Sequence, residues 1–336
     1  MNAVLPVLET PAHAGGNPFD LHDAAAYRAW RAWKLAHAPR QADDLLVEIK
    51  DPARLDGAER AALLARIARC SVAVYRVTSL AARAEADRDV AQAQAAVQAL
   101  GAQLGLLRLD ANWLAEEDGI SQITVKAGNG DARASDGGAF IPYTDRAIRW
   151  HTDGYYHPHA RRIHAMILHA VRPAQEGGLN RLLDHELAYI ALRDEDPTLV
   201  RALMHPQAMT IPARHGASGE ARAAQSGPVF TVEADAWGRP ALHLRYTART
   251  RSIAWREDPA TQAAAARLPA LLDAPHCPGR VGLRLDAGMG IVGLNVLHDR
   301  SAFQDDPAAP RLLLRARYLD RCSPPDGPME APWRNG

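Results

Sequence analysis

The chain has 336 residues, of which 47% are hydrophobic and 23% are charged. Its 39 basic and 39 acidic residues balance, which argues against the broad positive surface that binds nucleic acid or an anionic membrane. Three widely spaced cysteines argue against a disulfide scaffold or a structural zinc site and favour a reducing compartment. The first residues lack the pattern of a secretory signal, and no run of about eighteen apolar residues occurs, so we expect a cytoplasmic protein.

The first half of the chain is predicted to begin with an N-terminal helical extension over residues 1–45, which contains the helix "DLHDAAAYRAWRAWKLAH". A strand, "LLVEIKD", comes next, and a helix, "DGAERAALLARIARC", follows with Asp56 placed to cap it. A second strand is "SVAVYRV", and "EADRDVAQAQAAVQALGAQLG" is predicted to be a helix that ends near Gly101 or Gly105. This strand–helix–strand start is compatible with many α/β folds.

From about Gly128 the chain consists of short strand-like runs separated by turn residues. The runs are "IHAMILHAV", "PVFTVEA", "ALHLRYT", "VGLRLDAG", "GIVGLNVLH" and "RLLLRARYL". Two helical inserts interrupt them, "HELAYIALRDEDPTLVRALM" and "DPATQAAAARLPALL". The pattern predicts a single β-rich domain over residues 46–336 with helices packed outside it. The segment near 200–230 is predicted to be a lid insertion or a plain connecting loop.

The stretch "RWHTDGYYHPHARRIH" places His151 two residues before Asp153. On an extended segment such residues point to the same side, and an imidazole with a carboxylate suits a divalent first-row metal. A second histidine would complete the facial triad of the non-haem Fe(II) oxygenases. The other histidines of the stretch are expected at the pocket rim or in the scaffold: His157, His159 and His164.

His298 ends the apolar run "GIVGLNVLH", and Arg311 follows thirteen residues later in "RLLLRARYLDR". A strand with a metal ligand, followed by a strand with an arginine, is what a dicarboxylate cosubstrate needs. The metal would chelate one end, and the planar guanidinium would pair bidentately with the distal carboxylate. The competing interpretation of "RLLLRAR" is an amphipathic strand or helix with solvent-facing arginines.

Together, "WHTDGYY", "EGGLN", "GLNVLHDRSAF" and "RLLLRARYLD" resemble the taurine dioxygenase (TauD/TfdA) family of Fe(II)- and 2-oxoglutarate-dependent oxygenases, which includes γ-butyrobetaine hydroxylase. The resemblance spans about residues 46–318, with specific motifs at 149–184 and 285–318. It implies a mainly β fold with flanking helices (α+β), a cupin-like double-stranded β-helix or jelly roll. It also implies a dioxygenase that uses Fe(II), 2-oxoglutarate and O2 and hydroxylates a small metabolite, with release of succinate and CO2.

Carried over residue by residue, the resemblance implies three catalytic iron ligands, His151, Asp153 and His298. Arg311 would hold the distal carboxylate of 2-oxoglutarate, and Asn180 stands where the family usually has a threonine that touches this cosubstrate. Asparagine can also hydrogen-bond a carboxylate. Asn295 lies three residues before the histidine, where the family pattern has five, and this leaves its role open.

The same resemblance suggests substrate-binding residues around the metal. Arg315 matches a position that contacts the anionic end of the substrate in taurine dioxygenase. Tyr155 and Tyr156 follow the metal pair and are candidates for lining the pocket, with a purely structural role as the alternative. Arg245 and Arg251 come from a segment that lies near the active site in the family. With Arg315 they suggest an anionic substrate, although solvent exposure is the commoner fate of arginine.

Two other classes of function stay open at this point. A non-oxidative metalloenzyme, such as a hydrolase or isomerase on a similar barrel, would act without O2 or 2-oxoglutarate and would leave Arg311 without a role. A catalytically inactive small-molecule-binding protein is disfavoured by the intact triad. The expected partner is a small-molecule substrate, with no nucleic acid and no membrane, and the sequence leaves a homo-oligomer open.

Overall fold

The structure is a computed structural model that describes residues 16–79, 89–110, 119–125, 141–216, 219–249 and 253–323. Six α-helices lie in these ranges: α1 (Ala24–Ala36), α2 (Gly57–Cys70), α3 (Val90–Gln103), α4 (His185–Glu195), α5 (Pro197–Leu203) and α6 (Pro259–Asp273). Short 3₁₀ turns occupy Ala42–Leu45, Ile141–Tyr143 and His159–Arg161.

The same ranges contain nineteen strands, most of them short. The first nine are β1 (Leu46–Ile49), β2 (Val72–Val77), β3 (Ser121–Ile123), β4 (Ile148–His151), β5 (Ala165–Arg172), β6 (Glu176–Gly177), β7 (Asn180–Leu183), β8 (Met209–Ile211) and β9 (Arg214–Gly216). The others are β10 (Gly219–Arg222), β11 (Gln225–Gly227), β12 (Phe230–Ala234), β13 (Pro240–Leu244), β14 (Ala254–Trp255), β15 (Val281–Leu283), β16 (Met289–Leu294), β17 (Leu297–Arg300), β18 (Phe303–Gln304) and β19 (Leu312–Tyr318).

Two β-sheets form the centre of the domain. The major sheet has the order β1-β2-β16-β5-β19-β3, in which only the β1–β2 pair is parallel, and the minor sheet is antiparallel with the order β15-β7-β17-β4. The sheets pack face to face, because one buried apolar cluster takes residues from both, among them Met166, Leu168, Leu182, Val281 and Leu313. They do not close into one continuous barrel. The predicted jelly roll with flanking helices is confirmed.

Helices cover the outer face of each sheet. Helices α2 and α3 pack on the major sheet through apolar side chains that include Leu63, Ile67, Val97 and Leu100. Helices α1, α4, α5 and α6 form a second layer with minor-sheet residues, which include Trp150, Leu183 and Leu297. Because α1 contributes Tyr27 and Trp30 to this layer, it is part of the packed domain.

Two predicted elements are divided in the structure. The helical insert at 185–204 breaks at Asp196, since the residue before a proline is disfavoured in helical geometry; Asp196 then caps α5 instead. The run "GIVGLNVLH" breaks at Asn295 and becomes β16 of the major sheet and β17 of the minor sheet. By contrast, Asp56 caps α2 as predicted, in a reciprocal capping box with Glu59.

The segment near 200–230 contains four short strands, β8 to β11, joined as two small antiparallel pairings. They lie outside the two central sheets. Among the residues that the structure describes, no helix has the length and apolar character needed to cross a lipid bilayer.

Candidate metal centre

His151 and His298 face each other across the neighbouring strands β4 and β17. The two residues are register partners, and their ring centroids are 4.2 Å apart. In each ring Nδ1 lies 2.9 Å from the carbonyl oxygen of the residue two positions earlier, Arg149 or Val296. A proton on Nδ1 that is donated to this oxygen leaves Nε2 of both rings free to bind a metal.

Asp153 completes the group two residues after His151. Its Oδ1 accepts a hydrogen bond from Nη1 of Arg315 at 3.3 Å, whereas its Oδ2 is buried and has no hydrogen-bond partner among the described residues. The ligand atoms of His151, Asp153 and His298 all lie within 4.8 Å of one another. A buried carboxylate oxygen without a partner is costly unless it binds a cation, so these residues fit a divalent metal, and two imidazoles with one carboxylate fit Fe(II).

The sheet register explains why these side chains meet. His298 is paired with Leu182, whose side chain lies in the apolar cluster between the sheets, so His298 also points inward. From the opposite sheet, Arg315 follows Leu313 of the same cluster by two residues and therefore points inward as well. The candidate metal centre thus lies between the two sheets, with its histidines on the minor sheet.

Asn295 fixes the backbone of Asp153. The Asp153 N–H donates to Oδ1 of Asn295 at 2.8 Å, and Nδ2 of Asn295 donates to the carbonyl oxygens of Asp153 at 2.8 Å and of Ile163 at 2.9 Å. Gly154 then turns the chain at φ +65°, where a Cβ would lie 2.5 Å from Cγ1 of Ile163. The structure therefore gives a positioning role to Asn295, which the sequence left open.

The surroundings set the charge of each ligand. Burial, aided by the neighbouring His298, lowers the pKa of His151 to about 3, so its ring is neutral at pH 7. Burial alone would raise the pKa of the Asp153 carboxyl, but Arg315 and Arg317 outweigh it and hold that pKa below its usual range. A neutral imidazole and an ionised carboxylate are the forms in which these residues bind metals.

Arg311 directly precedes β19 and is buried. Its guanidinium carbon is 4.9 Å from the ring centre of Phe303, and that of Arg300 is 4.7 Å from the same ring. Burial lowers the pKa of Arg311 to about 9, with Arg300 adding to the effect, and the group is still a cation at pH 7. Its guanidinium makes no hydrogen bond to a described residue, so its donors are available to a carboxylate.

The other predicted cosubstrate and substrate residues lie close to the ligands. Asn180 is buried at the start of β7 and pairs with Arg300, two residues beyond His298 on β17. The Asn180 side chain donates to the carbonyl oxygen of Gly178 at 3.2 Å. Tyr155 and Tyr156 follow the turn after Asp153 and pack edge to face, with their ring centroids 5.2 Å apart.

Arg245 is used differently from the prediction. All five of its guanidinium N–H groups are directed at backbone carbonyl oxygens, those of Tyr155, Met209, Gln225, Gly227 and Pro228. Arg245 therefore binds the segment around β8 and β11 to the domain and has no donor left for a substrate. Arg251 lies outside the described residues.

The sequence interpretation overlooked a buried ion cluster beside Tyr156. Arg317, two residues after Arg315 on β19, donates to the Tyr156 hydroxyl at 3.1 Å and to Asp110 at 2.7 Å. Asp110 also accepts hydrogen bonds from Arg161 at 2.5 Å and, when that ring nitrogen is protonated, from His157 at 3.1 Å. The period of two along a strand could have placed Arg317 on the same face as Arg315.

A second cluster, His164, Glu233 and His243, also has its ligand atoms within 4.8 Å of one another. Here, however, both Glu233 oxygens already accept hydrogen bonds from arginines, Arg162 and Arg321, each at 2.8 Å. Two guanidinium groups on one carboxylate oppose the binding of a further cation. Of the two clusters, the one at His151 is therefore the better metal centre.

Comparison with known proteins gives a consistent result. Residues 38–317 match the family described as taurine catabolism dioxygenase TauD, TfdA family. A uridine-5'-phosphate dioxygenase from Streptomyces sp is 32% identical over 216 residues, which cover 61% of this chain and 70% of that protein. A protein of the same name from Amycolatopsis sp is 32% identical over 179 residues, or 51% of this chain and 60% of its own length.

Solved structures show the same fold at lower identity. The non-haem iron oxygenase OrfP, in complex with Fe and α-ketoglutaric acid, has a TM-score of 0.55 and 17% identity, with 80% of this chain and 81% of that chain covered. An asparagine oxygenase in complex with Fe(II), hydroxyasparagine and succinate has a TM-score of 0.50 and 18% identity, with 86% and 89% covered. The resemblance and the cofactors inferred from the sequence are confirmed. The chain belongs to the TauD/TfdA family and is an Fe(II)- and 2-oxoglutarate-dependent dioxygenase.

Proposed function

We propose that His151, Asp153 and His298 hold the iron and that the enzyme hydroxylates a small anionic metabolite beside it. The observation that carries this assignment is the arrangement of the three ligand atoms within 4.8 Å, with Oδ2 of Asp153 buried and unpartnered among the described residues. Bound iron would supply the redox chemistry with O2 and the site at which 2-oxoglutarate is chelated.

The chain's own residues would orient the cosubstrate. Arg311 would pair bidentately with the distal carboxylate of 2-oxoglutarate, since its guanidinium is buried and cationic and carries no hydrogen bond to a described residue. Asn180 lies on β7, the strand next to β17, where its side chain also points inward and can donate a hydrogen bond to the same carboxylate. Arg315 would hold the Asp153 carboxylate in place and add positive charge next to the substrate.

The substrate class that we propose is a nucleoside 5'-monophosphate. This comes from the names of the two curated relatives, and it agrees with the positive charge contributed by Arg315 and Arg317 around the metal centre. We also propose that residues 46–336 act as one catalytic domain, that the segment near 200–230 is its lid, and that the enzyme works in the cytoplasm without a nucleic-acid partner.

The iron site can be tested spectroscopically without a substrate. Anaerobic addition of Fe(II) and 2-oxoglutarate to the purified protein should produce the weak visible charge-transfer band of a chelated 2-oxo acid. We expect His151→Ala to lose this band and His159→Ala, at an exposed position in the same stretch, to keep it. A wild-type protein without the band, or a His151→Ala variant with the wild-type band, would refute the assignment.

A further inference from the structure

We infer that Arg300 makes the enzyme select a 2-oxo acid that carries a second carboxylate. It adds a cation next to Arg311 and holds Phe303, the aromatic ring against which both guanidinium groups lie. The inference rests on the proposed function, because it assigns a further residue of the same cosubstrate site. Arg300 acts through Phe303 and Arg311, so it is a positioning residue, and it was not among the candidates selected from the sequence.

Phe303 connects the two arginines directly. The guanidinium carbon of Arg300 lies 4.7 Å from the centre of this ring, and that of Arg311 lies 4.9 Å from it. The three side chains are buried, with Arg300 5%, Arg311 4% and Phe303 7% exposed. The two cations are therefore within about 10 Å of each other, roughly one Debye length at 0.1 M ionic strength, and burial reduces the screening between them further.

Arg300 and Phe303 hold the same turn. The Nη2 group of Arg300 donates to the carbonyl oxygens of Thr144 at 2.7 Å and of Arg146 at 2.5 Å. The Phe303 N–H donates to the carbonyl oxygen of Asp145, between them, at 3.1 Å. The position of the Phe303 ring therefore depends on the hydrogen bonds that Arg300 makes to this turn.

The other side of Phe303 is fixed by β6. Phe303 is the register partner of Gly177, where φ is +72° and a Cβ would lie 2.5 Å from the carbonyl oxygen of Ala302. Arg311 is held at its own backbone, because its N–H donates to Oδ1 of Asp305 at 2.6 Å. The guanidinium of Arg311 thus meets an aromatic surface that is supported from two directions.

The charge balance indicates what this arrangement binds. In the part of the chain that the structure describes, neither Arg300 nor Arg311 forms an ion pair with an acidic side chain, whereas Arg315 and Arg317 both do. The Nε of Arg300 is also buried without a hydrogen-bond partner among these residues. Buried cations without a counter-charge are costly, and the distal carboxylate of a dicarboxylic 2-oxo acid would supply that charge.

The two arginines would contribute differently. Arg311 has its donors available and would bind the carboxylate directly. The Nη2 group of Arg300 is occupied by backbone carbonyl oxygens, so Arg300 would contribute mainly charge and the position of the ring. A 2-oxo acid that ends in a methyl group would leave both cations uncompensated, and the site would therefore reject it.

The test compares 2-oxoglutarate with 2-oxopentanoate, which has a methyl group in place of the distal carboxylate. Both are titrated anaerobically at saturating Fe(II), and the charge-transfer band gives each Kd. We expect wild type to bind 2-oxoglutarate at least about tenfold more tightly. Arg300→Gln should raise the Kd of 2-oxoglutarate roughly tenfold and leave that of 2-oxopentanoate unchanged. Arg300→Lys keeps the charge and should recover part of the discrimination.

Phe303→Leu tests the shared ring. It keeps an apolar side chain but removes the aromatic face, so we expect the Kd of 2-oxoglutarate to rise about 2- to 30-fold, the range for a lost cation–π contact. The Kd of 2-oxopentanoate should again stay the same. Arg146→Gln, an exposed arginine of the same turn, is the matched control and should titrate like wild type with both acids.

Two results would overturn the inference. If Arg300→Gln raises both Kd values by the same factor, Arg300 only maintains the fold. If it changes neither, Arg300 has no part in the choice of cosubstrate. Both results require a normal band in the wild type, so the proposed function would survive them.

A wild-type protein without the band would refute the proposed iron site and would still allow a test of the two cations. The metal-free protein is then titrated calorimetrically with glutarate, which has the distal carboxylate and lacks the 2-oxo group. Arg300→Gln should bind glutarate more weakly than wild type does. Identical titrations of the two proteins, including no binding by either, would overturn the inference.

Discussion

Asn295 and Asp153 exchange two hydrogen bonds of 2.8 Å between a side-chain amide and a backbone peptide. Through them the turn between β16 and β17 controls the direction of Asp153, the proposed metal ligand that follows β4. Asn295, two residues before β17, therefore shapes the proposed centre without being one of its ligands.

Replacing Asn295 by Ala should weaken metal binding by about 10- to 100-fold, as is typical when the support of a ligand is lost. It should also lower the free energy of unfolding by about 1–3 kcal/mol, since the Asp153 N–H and the carbonyl oxygens of Asp153 and Ile163 lose buried partners. Anaerobic Fe(II) titration and urea unfolding measure the two effects. Asn17→Ala removes a hydrogen bond to the Phe19 N–H and should leave metal affinity unchanged. Wild-type metal affinity in Asn295→Ala would contradict the positioning role.

Arg311→Lys tests the cosubstrate site. Lysine keeps the positive charge but cannot form two parallel hydrogen bonds to a carboxylate, so we expect the Kd of 2-oxoglutarate to rise by roughly 10- to 100-fold. The charge-transfer band, titrated with 2-oxoglutarate at saturating Fe(II), reports this constant directly. Arg201→Lys, at an exposed position of α5, serves as the matched control. If both variants titrate like wild type, Arg311 does not bind the cosubstrate.

Asp110→Asn should be strongly destabilising and pH-dependent. The substitution leaves the buried Arg317 without its carboxylate partner, which typically costs about 3–5 kcal/mol. Burial would raise the pKa of Asp110, but His157 and Arg317 outweigh it, so the folded pKa lies below the unfolded value of about 3.9. The stabilisation from this carboxylate is therefore complete above about pH 5 and is lost as the pH falls through the folded pKa.

Urea unfolding at pH 6 and at pH 3 measures this dependence. The difference in unfolding free energy between wild type and Asp110→Asn should be largest at pH 6 and should shrink at pH 3. Asp43→Asn, at an exposed aspartate, should behave like wild type at both values. A difference that stays constant or grows on acidification would be inconsistent with a paired Asp110 carboxylate.

A substitution of Lys34 tests how much α1 contributes to the stability of the domain. Its Nζ lies 2.7 Å from Oδ2 of Asp184 and 2.5 Å from Oε2 of Glu186, and the side chains of Lys34 and Asp184 are each 1% exposed. Lys34→Met leaves buried carboxylates uncompensated and should lower the free energy of unfolding by about 3–5 kcal/mol.

Lys50→Met is the matched control, because Lys50 forms an exposed pair with Asp56 whose loss should leave the free energy of unfolding close to that of the wild type. Chemical denaturation of both variants gives the comparison. Equal, small changes would mean that α1 is an appendage of the kind the sequence suggested for residues 1–45, with little share in the stability of the domain.

The elements that the sequence predicted well are those with local causes. The capped helix that begins after Asp56 depends on residues three positions apart, and the iron ligands that we propose were selected from a spacing of two and a recognisable downstream motif. The tautomers of His151 and His298 also depend on local contacts, because Nδ1 of each ring lies near the carbonyl oxygen of the residue two positions earlier.

What the sequence could not predict depends on contacts between distant residues. The apolar pattern through Asn295 is continuous, so nothing in it marks the change from one sheet to the other. Arg245 was a candidate substrate ligand because its segment lies near the active site in the family that the sequence resembles, yet its carbonyl partners lie up to 90 residues away. Asp110 and Arg317 are separated by 207 residues, and only the fold shows that each neutralises the other.

Arg311 directly precedes β19 of the major sheet, while the two histidines that we assign to iron lie on the minor sheet. A 2-oxoglutarate molecule held at both ends would therefore act as a cross-link between the halves of the sandwich. Its binding energy would add to the cohesion of the whole domain, so the temperature of unfolding should rise with cosubstrate concentration when iron is present.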